Sequence, residues 1–288
     1  MNTVFLNGEY QPKDQARLSV DDRGFVFGDG IYEVVRVIEG RIFAWSEHAA
    51  RMTHGLGAVR IPFGAGDVAG LEAVCNRLVA ENDLQAGEAT IYMQVTRGAA
   101  PRTHYFPPAG TPPTVYAAAS RFTPSRDMRV KGIKAITFPD FRWARCDLKT
   151  VNLMGAVLAR EAAHEAGAYE ALLIRDGMLT EGAATNAFAV IGGVVRTYPL
   201  SNYILPGISR QYALDAAREV GVPVSEVPVT QQEMLGAQEL FIAGTTTDIA
   251  PIVMLDGKPV GDGTPGPVTR KVQQAFLPRL YGAAVAAR

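Results

Sequence analysis

The sequence predicts an α/β protein of two domains, and three observations carry that expectation. The first part holds short apolar segments joined by tight turns, which read as hairpins of an antiparallel sheet. The second part alternates strand-like and helix-like segments, as in sheets covered by helices. Between them RFTPSRDMRVK, residues 121–131, is polar, charged and interrupted by Pro124, like a linker. The expected division is 1–120, a linker at 121–131, and 132–288. A chain of 288 residues suffices for two modest domains with cores of their own.

In chain order, TVFL and the Asn7-Gly8 turn open a hairpin, and IYEVVRVIEG with RIFAW forms a second one turned at Glu39-Gly40. Ser46 is placed to cap a helix through Ala49, Met52 and Leu56, and Asp67 another through Leu71, Val74 and Leu78. ATIYMQVTRG and TVYAAASRF are strands separated by a long loop that carries Arg102 and His104. GIKAITF opens the second part. Asn152 can then cap a helix through Leu153, Ala156 and Ala163 that Gly167 stops. EALLIRD turns at Asp176-Gly177 into LTEG; TNAFAVIGG, VVRTYPL, ELFIAGTTT and IAPIVML are further strands, and helices cover ISRQYALDAAREVG and about Pro267 to Leu280.

Composition excludes several functions. Hydrophobic residues make up 48% of the chain and the formal charge is −1, with lysines and arginines scattered, which argues against a nucleic-acid surface. AFAVIGGVV is far shorter than the ~20 residues of a membrane span, and no signal peptide is visible. The two cysteines, Cys75 and Cys146, lack metal-ligand spacing, no metal site is evident, and a reducing cytoplasm fits them best. His48, His54 and His164 have no claim comparable to that of His104.

The chemistry concentrates around Lys149 and Glu181. One helix, one strand and one turn separate them, a layout able to return the carboxylate towards the amine. Such a pair suits pyridoxal phosphate: a lysine binds the aldehyde, and an acid keeps the pyridine nitrogen protonated. Pro206-Gly207 before a helix lets the amides of Ile208 and Ser209 point at an anion. Alternation along IYEVV puts Tyr32 and Val34 on one face, and PRTH puts Arg102 and His104 on one side of an extended loop. A guanidinium, an imidazole and a phenol together suit an α-carboxylate.

DRGFVFGDGIYEVV, the EHAAR run ending at Arg51, TRGAAPRTHYFP, RWARCDLKTVNLMGAVLA, LTEGAATN, ILPGISR and threonines 245–247 resemble the class IV, fold-type IV pyridoxal phosphate aminotransferases. Among these, the chain is most similar to the bacterial D-amino acid aminotransferases. The resemblance implies two α/β domains with pyridoxal 5'-phosphate in the cleft between them. It also implies that Lys149 and Glu181 are catalytic, that Arg51 and Thr246 join Ile208 and Ser209 on the phosphate, and that Tyr32, Val34, Arg102 and His104 meet the substrate. It further implies a homodimer in which Arg102 and His104 reach the partner's site. The implied reaction moves nitrogen from D-amino acids to 2-oxo acids such as pyruvate or 2-oxoglutarate. An L-branched-chain aminotransferase and an aminodeoxychorismate lyase use the same lysine and glutamate; the PRTH loop favours the D-specific transferase. Where bacterial members often carry serines, this chain has Ala183, Ala184 and Thr185, leaving fewer hydroxyls there.

Overall fold

A computed structural model describes residues 2–282, and the chain divides into two compact units. Unit 1 runs to Thr123 and includes Leu148–Asn152; unit 2 comprises Pro124–Asp147 and the chain from Leu153 onwards. The expected second domain thus gives up the segment that carries Lys149.

Unit 1 contains β1 (Thr3–Leu6), β2 (Glu9–Pro12), α1 (Arg23–Phe27), β3 (Gly30–Ile38) and β4 (Arg41–Ile42). They are followed by α2 (Trp45–Ala58), α3 (Ala65–Glu81), β5 (Glu88–Thr96) and β6 (Thr114–Arg121). Its six-stranded sheet has the order β2-β1-β6-β5-β3-β4, with antiparallel neighbours. Positive φ at Asn7 and Gly8 and at Glu39 and Gly40 gives both two-residue turns the twist that hairpins need. Alternation along β3 sends Ile31, Val35 and Val37 into a core with Met52 and Leu56 of α2 and Leu71, Cys75 and Leu78 of α3. Each such wholly buried side chain contributes roughly 1.5–3 kcal/mol of transfer free energy.

Two expected caps are replaced. Ser46 does not start α2; Ala44, left-handed at φ 52, is its N-cap, and the Ser46 hydroxyl donates to Glu47. α3 starts two residues before Asp67, whose carboxylate instead accepts from the Gly64 amide at 2.8 Å.

Unit 2 contains α4 (Arg126–Lys131), β7 (Ile133–Pro139), α5 (Met154–Glu165), β8 (Glu170–Arg175), β9 (Met178–Gly182), β10 (Asn186–Ile191) and β11 (Val194–Thr197). They are followed by α6 (Ile208–Glu219), β12 (Val224–Glu226), β13 (Val229–Thr230), α7 (Gln231–Leu235), β14 (Glu239–Gly244), β15 (Asp248–Leu255), β16 (Lys258–Pro259) and α8 (Pro267–Tyr281). Among the described residues, a ten-stranded sheet runs β12-β11-β10-β14-β15-β7-β8-β9-β13, with β16 beside β15. It is mixed: β7 lies parallel to β8 and β15, and β11 to β12. Leu172, Ala187, Leu240, Ile242, Ala250 and Ile252 share one core, and α5 covers Ala171 and Leu173 with Ala159 and Ala163.

Helix α4 lies inside the stretch expected as a linker. Ser125 caps it by accepting from the Met128 amide, and Pro124 precedes the cap, where it removes no helical hydrogen bond. Asn152 does not cap α5, which begins after Leu153. Its amide is committed to unit 1, donating to the Gly28 carbonyl at 3.0 Å.

Candidate active site

Lys149 is positioned by backbone pairing. β4 covers only Val37 and Ile38 of β3, which leaves the edge at Gly30–Tyr32 open. The segment 148–152 fills it: Thr150 bridges Ile31 in antiparallel register, the Tyr32 amide donates to the Lys149 carbonyl at 3.0 Å, and the Val151 amide to Gly30 at 3.1 Å. Antiparallel partners share a face, so Lys149 and Tyr32 emerge side by side. Nζ lies 3.2 Å from the Tyr32 hydroxyl, to which it donates, and 4.3 Å from the centre of that ring. Tyr32 in turn stacks on Tyr92, with centroids 5.6 Å apart, and burial pushes the Tyr92 phenol up to about 12. Val34 is on this same face, as its spacing predicts.

The opposite face of β3 carries Glu33, wholly buried. Arg51 of α2 donates to both its oxygens, Nε at 2.7 Å and Nη2 at 2.8 Å, while His48 Nδ1 lies 2.8 Å away. Burial pushes the Glu33 carboxyl up, but Arg51 and His48 overcome it and hold the group at about 2. Burial lowers the His48 pKa. His48, spaced three residues before Arg51 on α2, reaches the carboxylate that holds that arginine.

The substrate loop brings Arg102 and His104 together. Both are exposed, and both meet the Phe27 ring, at 5.3 Å for the guanidinium and 5.7 Å between rings. Their convergence is on Phe27.

Unit 2 builds its own constellation around Glu181, 3% exposed on β9. Leu172 pairs Gly182 and Ile174 pairs Leu179, so β9 holds one extra residue opposite Leu173. Thr180 closes this bulge by donating to the Leu173 carbonyl, and the break in alternation re-aims Glu181. Arg142 Nη1 donates to Oε1 at 2.5 Å, Asn186 Nδ2 to Oε2 at 2.9 Å, and the Leu205 amide to both oxygens. Arg142 is itself fixed by Asp140, through Nε and Nη2. Burial raises the Glu181 pKa to about 7 even against Arg142. Arg142 and Asn186 have no distinguishing spacing; only their presence in RWARCDLK and LTEGAATN marked them in the sequence.

Asn186 also joins Glu181 to the anion-binding elements. Its Oδ1 fills the space a side chain at Gly207 would take, 1.9 Å from the position of such a Cβ. Gly207, at φ −69 and ψ 135, begins α6 without a side-chain cap, with Ile208 and Ser209 in the first turn. Asn186 pairs Ala243 across β10 and β14, and the 245–247 turn follows β14 directly. Thr246 is exposed at that turn. Glu181, the α6 N-terminus and the threonine turn therefore gather at one end of the sheet.

These arrangements have counterparts. Residues 30–255 match the amino-transferase class IV family. The chain is 40% identical over 276 residues to a D-alanine aminotransferase of Staphylococcus haemolyticus, covering 96% of this chain and 97% of the relative. It is 39% identical over 273 residues to one of Bacillus licheniformis, covering 95% of each. Its fold superposes on the branched-chain amino acid aminotransferase of Escherichia coli with a TM-score of 0.89 at 27% identity, over 98% of this chain and 95% of that one. The T.th. branched-chain amino acid aminotransferase solved with pyridoxamine 5'-phosphate gives 0.83 at 29% identity, over 96% and 93%. With its two sheets, its bulged glutamate strand and these relatives, the chain belongs to the class IV aminotransferase family and has its fold-type IV architecture.

Proposed function

We propose that this protein uses pyridoxal 5'-phosphate to transfer the amino group of D-amino acids, of the D-alanine type, to 2-oxo acids such as pyruvate or 2-oxoglutarate. The observation that carries the reading is the 39–40% identity to D-alanine aminotransferases over 95–96% of this chain, and Glu181, a buried carboxyl within a ring of donors, supports the cofactor. The residues fit the cofactor. Burial keeps the Glu181 carboxyl high even beside Arg142, and a pyridine nitrogen would supply a partner with which to share the proton. When bound, the cofactor offers Lys149 an aldehyde and provides a ring that accepts the electron pair freed at the substrate's α-carbon.

The chain's own residues do the rest. Lys149 Nζ is the amine that would hold the cofactor's aldehyde and the base that would carry the substrate's α-proton. The Tyr32 hydroxyl at 3.2 Å aims that amine. Glu181 holds a proton at the ring nitrogen, with Arg142 and Asn186 fixing one oxygen each. Arg51, set by Glu33 and His48, binds the phosphate with Thr246 and the amides of Ile208 and Ser209. Tyr32, Arg102 and His104 bind the substrate carboxylate, and Val34 borders its side chain.

A homodimer is part of the same reading, with Arg102 and His104 serving the partner's site. The exposed apolar side chains Met154, Val157 and Leu158 on α5, with Phe141 and Trp143, support a covered surface. No helix among the described residues is long and apolar enough to cross a membrane. The two buried, unbridged cysteines support a cytoplasmic site of action.

The second reading, L-branched-chain transamination, draws on the solved structures with the same fold. Mixing the cofactor-loaded protein with D-alanine or L-leucine and following the cofactor absorbance separates the two. Rapid bleaching by D-alanine is expected; bleaching by L-leucine with D-alanine inert would replace the D-specific reading.

A further inference from the structure

The loop between β5 and β6 is tied down at its neck, its side and its tip, all within unit 1. At the neck Gly98, φ +87, approaches so closely that a Cβ there would stand 2.0 Å from the Pro112 carbonyl oxygen. Asp22 bridges Ala99, and the Arg23 amide donates to the Gly98 carbonyl at 2.9 Å. Along the side Arg23, 4% exposed, donates through Nη1 to the Thr103 carbonyl at 2.8 Å, midway between Arg102 and His104. At the tip the Phe106 ring lies against two guanidinium groups, Arg97 at 3.8 Å and Arg60 at 4.6 Å.

One carboxylate serves both of the buried arginines in this arrangement. Asp29 Oδ2 accepts from Arg23 Nε at 2.9 Å and from Arg97 Nε at 2.8 Å, and Oδ1 accepts from Arg97 Nη2 at 3.0 Å. Arg97 spends its remaining donors on the carbonyls of Val59 and Arg60. Two buried cations without that acid would repel each other and lose part of their desolvation compensation. The Arg23 that Asp29 fixes also lies 4.7 Å from the centre of Phe27, the ring on which Arg102 and His104 converge.

We propose that Asp29 is a positioning residue for substrate specificity: through Arg23 and Arg97 it holds the loop so that Arg102 and His104 present one carboxylate-binding edge. This rests on the reading that those two residues bind the substrate carboxylate. Neither Asp29 nor its arginines touch substrate in this account; they set where the loop stands before substrate arrives, so the ordering is not left to the binding step.

The test compares cofactor-loaded Asp29→Asn, Phe106→Ala and Arg102→Ala with the parent. Asp29→Asn keeps the shape of the side chain and removes its charge, whereas Phe106→Ala removes a half-exposed ring and spares the fold. For Asp29→Asn the KM for D-alanine should rise about ten-fold with kcat changed less than about two-fold. Trypsin cleavage after Arg102 should accelerate in parallel, a readout independent of turnover. Phe106→Ala should move both quantities the same way by about three-fold. A raised KM in Arg102→Ala with both quantities unchanged in Asp29→Asn and Phe106→Ala would overturn the positioning role alone. An unchanged KM in Arg102→Ala would overturn the carboxylate reading, and this proposal with it.

Discussion

Lys149 donates to the Tyr32 hydroxyl at 3.2 Å, and its side chain is the protein's nucleophile in the proposed chemistry. Lys149→Ala should abolish both turnover and the visible absorbance of the bound cofactor, a fall of many powers of ten; near-normal transamination by this variant would remove the whole assignment. Glu181 offers a test that needs no substrate. Its folded pKa of about 7 exceeds the ordinary 4.5, so the folded chain binds more protons than the unfolded one between those values. Its contribution to stability is therefore present below about 4.5 and is lost as pH rises through about 7. His48, lowered by burial, acts in the opposite sense, so the quantity to measure is a difference. Without cofactor, Glu181→Gln should gain stability over the parent between pH 4.5 and 7, by up to about 3 kcal/mol. Equal pH slopes of the melting temperature in the two proteins would show that Glu181 is not held near 7. The residues that sequence reasoning singled out are those with a rare type at a marked place, such as lysine before a helix or PRTH in a loop. Glu33, His48 and Arg142 were not among them, because an ion pair across β3 and α2, or between the segment after β7 and β9, has no local signature.

Strands and turns were the most legible elements. Asn-Gly, Glu-Gly and Asp-Gly each sit at positive φ in a two-residue hairpin, so local chemistry alone fixed those registers. Helix starts were less so, since Asn152 had two acceptable uses and tertiary pairing with Gly28 chose the one that propensity did not indicate. The short α1, α4 and α7 and the strands β12, β13 and β16 offer too few residues for a period to declare itself. The start of α6 carries a sharper consequence. Gly207 has ordinary dihedrals, so Gly207→Ala is resisted chiefly by Asn186, whose oxygen lies 1.9 Å from the new Cβ, with Arg210 Cβ at 3.3 Å. Moving Asn186 disturbs one of the bonds to Glu181 and shifts the first turn together. The variant should lose about 1–3 kcal/mol of stability and bind pyridoxal phosphate roughly ten-fold more weakly. An affinity equal to the parent's would separate α6 from the phosphate site.

For the whole molecule, the shared-loop reading predicts complementation between an impaired protein and an inactive one. Arg102→Ala and Lys149→Ala chains, mixed under conditions that exchange subunits, should regain about a quarter of the parent activity, because half the dimers are hybrids with one intact site. If Arg102 served its own chain's lysine, every site in the mixture would stay defective and no activity would return. The return of Leu148–Asn152 to unit 1 has a further consequence, for synthesis and for inheritance. A nascent chain emerging as far as Arg121 already contains every strand of the first sheet, yet the edge of β3 at Gly30–Tyr32 stays bare. Until Asn152 leaves the ribosome, that edge is open to pairing with other chains, and a messenger truncated at Thr123 should yield an aggregation-prone product. Nor does any single cut in the gene release unit 1 intact, since its last strand-like piece lies inside the coding region of the other. Fusion or exchange at Thr123 would leave Leu148–Asn152 with unit 2, so unit 1 would lose its pairing along Gly30–Tyr32.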